Sequence, residues 1–358
     1  MPLPMNQLQD IFKGHRDPGR TAEQFYGEQF RWFPRSWTSG LHHDMHRLEA
    51  LPLRPIRSLG YGSQGSIDEV ELSHTRERYA RKKWFAGTNS EKIKEQFFEE
   101  VKIIKKLAGH PHVLGLLASY TRDREFGLLL PLADCDLWQI LTMDPSERKE
   151  FISDENLLRS QGCLISGLMF MHERGIKHKD VKPQNILLRQ GYLQYTDFGL
   201  SRDISELSQS ATDSADRGTF KYMAPEVTVY QSRGRAADVF SLGCVLLEIQ
   251  SVLFGFSVDD THSFSALGPF HQNLSRIWSW IDYTSDLPIP NLTILDSDSK
   301  DALRAMLSQN PDDRPTLDFV FVKTIVRGPG LFCVKCIHQA LVQRGLHGMS
   351  PRSWVALF

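Results

Sequence analysis

The stretch GIKHKDVKPQNILL, Gly175 to Leu188, packs a His, three Lys, an Asp and an Asn into a short polar run and then turns apolar. The apolar end, NILL, predicts a strand, so the polar run is a loop that leads into it. On that loop Asp180 offers a carboxylate, and Lys182, two residues on, can neutralise a transferring phosphoryl group. Asn185 offers a carbonyl oxygen, a hard ligand suited to Mg2+. The next run, YLQYTDFGLS, brings Asp197 to a strand end beside Gly199, where a carboxylate can bridge a divalent cation to nucleotide phosphates. One such Asp alone reads as a turn residue. An acid and an amide spaced across a short hairpin, with a Lys between them, do not.

Upstream, LGYGSQGSIDEV places Gly60, Gly62 and Gly65 in the spacing G-x-G-x-x-G, with Tyr61 between the first two. Such glycines serve dinucleotide enzymes, phosphate loops and plain hairpins alike. A dinucleotide fingerprint leads into a helix, whereas here SIDEVEL and then RYARKKW read as strand, turn, strand. A Gly-rich hairpin lets backbone N–H groups approach phosphate oxygens without a Cβ in the way. Ile67, two residues past Gly65, can cover a flat base. Ala80 and Lys82 are two apart on a strand and so share a face; Lys83 points away. A buried Lys82 needs an anion. The helix SEKIKEQFFEEVKIIKKLAG, starting at Ser90 and stopping at Gly109, supplies Glu99 and Glu100. The apolar stripe places Glu100 on the inner side.

The chain has 358 residues, room for roughly two folding units of about 150. Apolar residues make up 41% and charged residues 24%, the balance of a globular chain with real cores. Lys plus Arg (42) nearly equal Asp plus Glu (43), so no global field steers it to nucleic acid or an anionic membrane, and neither is expected as a partner. Five Cys at uneven spacing make no disulfide framework and suggest a reducing compartment, so a cytoplasmic location is expected, with the nucleus also open. The N-terminus lacks the basic start and apolar run of a secretory signal. The longest apolar stretch, Val239 to Ile249, is broken by Ser241 and Gly243 and falls short of the roughly 18–20 residues of a membrane span.

Residues 1–52 read as a leader packing on or near the strand-rich part that begins at Leu53, with a helix near Thr21–Phe30. Its LHHDMH holds three His, but no Cys or second His pair lies nearby at zinc spacing, so these are packing residues. Leu53 to Ala86 is strand-like, and EFGLLLPL is a buried strand. Helical patterns then dominate, at Asn156–Arg174, Asp238–Val252, Asn273–Ile281 and Asp298–Ser308. Past Val326 the tail carries CVKC. Cys333 and Cys336 give two metal ligands, three with His338, where structural zinc takes four, so no metal is expected there.

Taken in order, these motifs resemble a eukaryotic protein kinase from about Leu53 to Val326: the Gly-rich loop, Lys82, Glu100, HKDVKPQN, DFG, APE at Ala224–Glu226, DVFSLG at Asp238–Gly243, and Arg314 in NPDDRPT. The resemblance implies an α+β, two-lobed fold. Residues 53–133 would form a small β-rich N-lobe with one key helix, 134–327 a larger, mainly α C-lobe, and 328–358 a tail. It implies ATP and Mg2+ as cofactors and protein substrates as partners; oligomeric state stays open. Lys82 would hold the α- and β-phosphates and pair with Glu100, Asp197 and Asn185 would hold Mg2+, Asp180 would take the hydroxyl proton, and Lys182 would stabilise the moving phosphate. Glu226 with Arg314, and Asp238 under the catalytic loop, would be structural. The hinge would be Pro131–Leu132–Ala133, with Leu130 as gatekeeper, Asp136 on the ribose and Leu187 under adenine. A missing N–H at Pro131 costs nothing where the base needs only its carbonyl. KPQN and GTFKYMAPE, with Lys182 and Thr219, resemble the serine/threonine branch.

Relatives mostly carry Arg before the catalytic Asp, where a planar fork grips a phosphorylated residue. Lys179 offers only a point charge. The segment Ser201–Arg217 holds Ser205, Ser208, Ser210, Thr212 and Ser214 beside Asp203, Glu206, Asp213 and Asp216, which can stand in for phosphate. Weakened control by phosphorylation and a plain tolerated substitution both fit. Gln184 and Lys221 disfavour an Arg-rich target. Competing readings are a pseudokinase or scaffold, argued against by Lys82, Asp180 and Asp197; a small-molecule kinase, argued against by GTFKYMAPE; and a dinucleotide oxidoreductase, argued against by the strand after Gly65.

Overall fold

The computed structural model describes residues 3–32, 37, 40–47, 49–62, 65–85, 90–203, 220–229, 234–258, 268–285, 297–327 and 329–343. These divide into two compact units, one drawn from 1–108 with 115–132, the other from 109–114 with 133–358.

The first unit is built on a six-stranded sheet in the order β1-β5-β6-β4-β3-β2. Its strands are β1 (Leu41–Met45), β2 (Leu53–Gly62), β3 (Gly65–Leu72), β4 (Arg78–Phe85), β5 (Ala118–Arg122) and β6 (Glu125–Pro131). All pairs are antiparallel except β1 with β5, which run parallel, Leu41 opposite Ala118 and Met45 opposite Arg122. The leader therefore joins the sheet itself as an edge strand. Trp37 and Met45 enter a core with Leu53, Val70, Leu72, Ala118, Tyr120 and Leu129. Two leader helices precede it, α1 (Met5–Ile11) and α2 (Pro18–Trp32), tied by Gln29, whose side chain bonds both the N–H and the carbonyl of Leu3 at 2.7 and 2.8 Å. The helix α3 (Ser90–Lys106) buries Phe97, Val101, Ile103 and Ile104, the stripe its spacing predicts, and the chain turns away at Gly109 with φ +100°.

The second unit is mainly helical: α4 (Leu137–Thr142), α5 (Pro145–Phe151), α6 (Asp154–Glu173), α7 (Pro225–Thr228), α8 (Arg235–Leu253), α9 (Leu274–Ser285), α10 (Ser297–Met306), α11 (Leu317–Arg327) and α12 (Val334–Gln343). Short strands complete it. β7 (Cys135–Asp136), β9 (Ile186–Arg189) and β10 (Tyr192–Tyr195) form one antiparallel sheet, and β8 (Ile176–Lys177) pairs with β11 (Arg202–Asp203). The core helices are α6, buried along most of its length, and α8. At 19 residues α8 is long and apolar enough to cross a membrane, longer than the apolar run read from the sequence; 83% of its apolar 18-residue window is buried within the fold, the signature of a core helix.

Boundaries differ from the sequence expectation in two places. Residues 109–114 belong with the second unit because Leu114 N–H donates to Tyr195 O at 2.9 Å, Tyr195 N–H to His112 O at 3.0 Å and Gln194 Nε2 to Pro111 O at 2.8 Å. The tail, as far as it is described, is part of the second unit too, with Leu331, Phe332 and Cys336 buried.

Candidate active site

In the first unit β4 carries the cation that the sequence singles out. Lys82 Nζ lies 2.8 Å from Glu100 Oε1 and 3.2 Å from Oε2, and both side chains are buried. Glu99, one residue earlier, stays half-buried. Strand alternation sends Arg81 and Lys83 to the other face, where Arg81 grips Asp68 through two bonds of 3.0 and 2.6 Å and Lys83 reaches the same carboxylate at 3.2 Å. Ile67 sits directly opposite Lys82 in register, so Ile67, Ala80 and Lys82 share one face. Leu130 lies opposite Ala80, and Pro131, opposite Tyr79, ends β6. Ala133 opens the second unit.

The Gly-rich segment is a strand-to-strand hairpin, Gly62 opposite Gly65, which removes the dinucleotide reading. Residues 63–64 at its tip lie outside the described residues. A Cβ on Gly65 would stand 2.1 Å from the Lys83 carbonyl oxygen, so only glycine lets β3 approach β4 there. Gly60 holds φ +147°, a region that favours glycine, and Tyr61 beside it is exposed.

In the second unit the polar run after β8 is a loop, then a turn of 3-10 helix at Pro183–Asn185, then β9. Asp180 Oδ2 is held by Lys182 Nζ at 2.7 Å and by Asn185 Nδ2 at 2.9 Å; Nδ2 also donates to the Asp180 carbonyl at 2.9 Å. The amide nitrogen of buried Asn185 is thus committed to Asp180, which turns its hard carbonyl oxygen outward from that pair. Beneath the loop, Asp238 on α8 accepts from Lys179 N–H at 2.8 Å, His178 N–H at 2.9 Å and His172 Nε2 at 3.0 Å. Burial pushes the Asp238 carboxyl up, but His172, the charge of His178 and the Lys179 N–H together hold it below the ordinary range. Lys179 itself sits at φ +68°, in the left-handed region where a side chain is strained.

The ring of His178 links this loop to the next. It is fully buried, bonds Thr196 O through Nε2 at 3.1 Å and lies 5.4 Å from the Phe198 ring. Between Thr196 and Phe198, Asp197 adopts φ +59°, ψ +72°, a left-handed conformation that Asp tolerates better than most residues. Leu187 faces Asp136 across β9 and β7 and stays half-buried, whereas Ile186 and Leu188 enter the core. Asp136, expected on a ribose, also caps α4. Its Oδ1 accepts from Gln139 N–H at 2.8 Å and Gln139 Oε1 returns a bond to its N–H at 3.0 Å.

Glu226 and Arg314 form the expected buried pair, with bonds of 2.7 and 2.8 Å. Arg314 also donates to the carbonyls of Ser308, Ala236 and Gln309, so one guanidinium ties α7, the start of α8 and the turn after α10. The ammonium of Lys221 lies 3.0 Å from the fully buried Glu248 and over the Trp138 ring at 4.9 Å. Glu248 also accepts from the buried Tyr222 hydroxyl at 3.0 Å. His172 and Glu248 carry no local signal in the sequence, because Asp238 and Tyr222, their partners, lie 66 and 26 positions away. Ser205, Ser208, Ser210, Thr212, Ser214, Thr219, Glu206, Asp213 and Asp216 lie outside the described residues.

The sequence is similar to those of known proteins. Cyclin-dependent kinase F-3 of Oryza sativa subsp. japonica is 29% identical over 291 residues, 74% of this chain and 62% of its own length. Serine/threonine-protein kinase nekl-2 of Caenorhabditis elegans is 26% identical over 254 residues, 69% of this chain and 66% of its own. Mitogen-activated protein kinase kinase kinase 2 of Arabidopsis thaliana is 28% identical over 236 residues, 65% of this chain and 33% of its own. The chain thus spans less than two thirds of the length of these relatives. The sequence model of the family described as protein kinase domain matches residues 53–326, the span that holds the Lys82–Glu100 pair, the Asp180 loop and the Asp238 brace, and the chain belongs to that family.

Proposed function

We propose that this chain is a serine/threonine protein kinase that transfers the γ-phosphate of ATP to Ser or Thr hydroxyls of proteins. The observation that carries the reading is the Asp180 carboxylate, held by Lys182 and Asn185 on a loop whose backbone is anchored to Asp238. A carboxylate fixed in this way can orient a hydroxyl and accept its proton as the oxygen attacks. Lys182 is placed to offset charge on the moving phosphoryl group. Lys82, held in place by Glu100, suits the α- and β-phosphates, and Ile67, Ala80 and the hairpin glycines suit the nucleotide around it. Asn185 Oδ1 and the Asp197 carboxylate are hard oxygen donors that fit Mg2+, which when bound neutralises the phosphates. Pro131, Ala133 and Leu187 belong to the adenine side, and Asp136, engaged as a cap, contributes by its position.

A small recess lined by Lys179, Asp180, Tyr222, Met223 and Ala224 lies beside the carboxylate. We assign the protein to the cytoplasm, with the nucleus open. The test is phosphate incorporation into a generic basic protein with ATP and Mg2+, beside Asp180→Asn and Asp197→Ala, with a panel of small metabolites as competing acceptors. Loss of at least about 100-fold in both variants is expected; full turnover in Asp180→Asn, or transfer to a metabolite alone, overturns the reading. Phosphatase-treated enzyme in the same assay keeps a large share of its turnover if Lys179 loosens control by the 201–217 segment.

A further inference from the structure

Four chemistry-bearing side chains from three places in the sequence converge in the second unit, none of them a residue assigned to phosphoryl transfer. His112 stands in the 109–114 segment, Cys163 in the middle of α6, and Cys333 and Cys336 at the start of α12. Their ligand atoms all lie within 4.8 Å of one another. His112, Cys163 and Cys336 are buried, and Cys333 is half-buried. His338, the third ligand that the sequence offered to CVKC, is exposed on α12 and takes no part.

The orientation of His112 is informative. Its Nδ1 lies 2.6 Å from the Leu193 carbonyl, which can only accept, so Nδ1 carries the proton. The other ring nitrogen, Nε2, faces the sulfurs, 3.3 Å from Cys333 Sγ. A metal-ligating histidine uses this orientation and this outer hydrogen bond. A tetrahedral zinc with Zn–S of about 2.3 Å and Zn–N of about 2.0–2.1 Å sets sulfur–sulfur edges of about 3.8 Å and sulfur–nitrogen edges of about 3.5 Å, beside a His112 Nε2 to Cys333 Sγ distance of 3.3 Å and an outer limit of 4.8 Å over the cluster. Two backbone N–H groups already point at sulfurs, Cys333 N–H at Cys163 Sγ (3.2 Å) and Cys336 N–H at Cys333 Sγ (3.4 Å), the donors that thiolates around a cation need. The neighbouring chain path is built for this approach: a Cβ on Gly162 would stand 2.4 Å from Leu331 O and 2.8 Å from the Phe332 ring, so the residue beside Cys163 has no side chain where the tail crosses α6.

We propose that His112, Cys163, Cys333 and Cys336 bind one Zn2+ as a closed Cys3His structural site. Three thiolates and an imidazole select soft or borderline metals over Mg2+, and four protein ligands leave no open position for catalysis. Each thiol releases its proton on binding. The site fastens α12, which begins beyond the matched family span ending at 326, to α6 and to the turn after α3.

The test uses the full chain, purified without chelator in reductant and analysed by elemental mass spectrometry. About one equivalent of zinc per chain is expected, and Co2+ exchanged into the protein gives the intense visible bands of a tetrahedral thiolate complex. Cys336→Ser and His112→Ala lose the metal; Cys135→Ser and Cys244→Ser, outside the cluster, keep it. The wild-type stoichiometry and cobalt spectrum need no variant, so an unfolded mutant does not blur the answer. Less than about a tenth of an equivalent of metal together with no cobalt bands overturns the site. A disulfide among Cys163, Cys333 and Cys336 in the intact reduced protein does the same, and a different metal at that stoichiometry overturns the assignment to zinc.

Discussion

Asp238→Asn is the sharpest perturbation available, because it changes charge and hydrogen-bonding sense without changing volume. The carboxylate accepts three bonds, from Lys179 N–H on one oxygen and from His178 N–H and His172 Nε2 on the other. An amide keeps one acceptor oxygen and places an NH2 where the other was. If the oxygen faces His178 and His172, the NH2 confronts the Lys179 N–H. One charge-assisted bond is lost, about 1.5–3 kcal/mol, and a buried donor is left unsatisfied, about 1–3 kcal/mol more. A central value of about 4 kcal/mol for the sum lowers the melting temperature of a unit this size by roughly 8–16 °C. Kinetics are hit harder. Lys179 is held at φ +68° against its own preference, and its N–H bond to Asp238 is part of what holds it. Once released, Lys179 relaxes and moves Asp180, the next residue. A displacement of about 1 Å costs on the order of 100-fold in kcat, while KM for ATP, set largely by Lys82 and the glycines, stays within a few fold. The effect also has a pH signature. The folded carboxyl lies below its ordinary value, so its contribution is complete above the unfolded pKa of about 3.9 and is lost as pH falls through the lowered folded value. Wild type and variant therefore differ fully at neutral pH and converge only in acid, below about pH 4. Thermal unfolding between pH 3 and 8, with steady-state phosphorylation at neutral pH, checks each part. A variant within about 2 °C and threefold in kcat of the wild type at pH 7 shows that Asp238 does not brace the loop.

Two further outcomes test separate parts of the structure. Glu226→Gln removes the anion from a fully buried Arg314 and lowers stability by about 3–5 kcal/mol in thermal unfolding, and the double change Glu226→Leu with Arg314→Met recovers most of it; a single variant as stable as wild type excludes the pair as a tie. Lys82→Met leaves far-ultraviolet circular dichroism unchanged and lowers phosphorylation by about 100-fold or more, with Glu100→Gln between it and wild type because the ammonium then keeps only a neutral partner; equal loss in both variants, or none, contradicts an ammonium positioned by Glu100.

Much of the site was legible because its chemistry is local. Asp180, Lys182 and Asn185 fall within six residues, and the turn that brings them together is written in the same stretch. Lys82 and Glu100 were legible for a different reason: strand alternation fixed which Lys faces inward, and helical periodicity fixed which Glu does. The helices themselves followed from the same periodicity but their ends less closely: α8 starts three residues earlier than expected, at Arg235, and α9 ends four residues later, at Ser285. The leader strand β1 was not legible, since LHHDM shows neither alternation nor β-branched residues. It is a strand because the edge of β5 pairs with it and Trp37 fills the space behind it. Asp136 was placed on a ribose from the resemblance; its spacing to Gln139 is also that of a capping box, a local signal the structure bears out.

The cysteine cluster shows where a one-dimensional reading stops. CVKC supplies two ligands in one helical turn, and a local search for the remaining two finds only His338, two residues past Cys336 on α12 and facing solvent. The partners that converge are 221 and 170 positions upstream of Cys333. Neither carries a mark of its own. Cys163 sits in an apolar helix where a small buried thiol packs as well as an alanine, and His112 sits in a turn whose Pro111 and Gly109 explain its conformation without reference to metal. What joins them is the geometry of α6, which must first be packed before residues from both ends of the unit can meet across it. A ligand set of this kind depends on folding in the strict sense: the metal affinity belongs to the folded unit, and binding in turn favours the fold that assembles it. Loss of the metal should therefore free α12 before it disturbs the Asp180 loop, whose anchors, Asp238 and Asn185, lie on α8 and before β9 and share no ligand with the cluster.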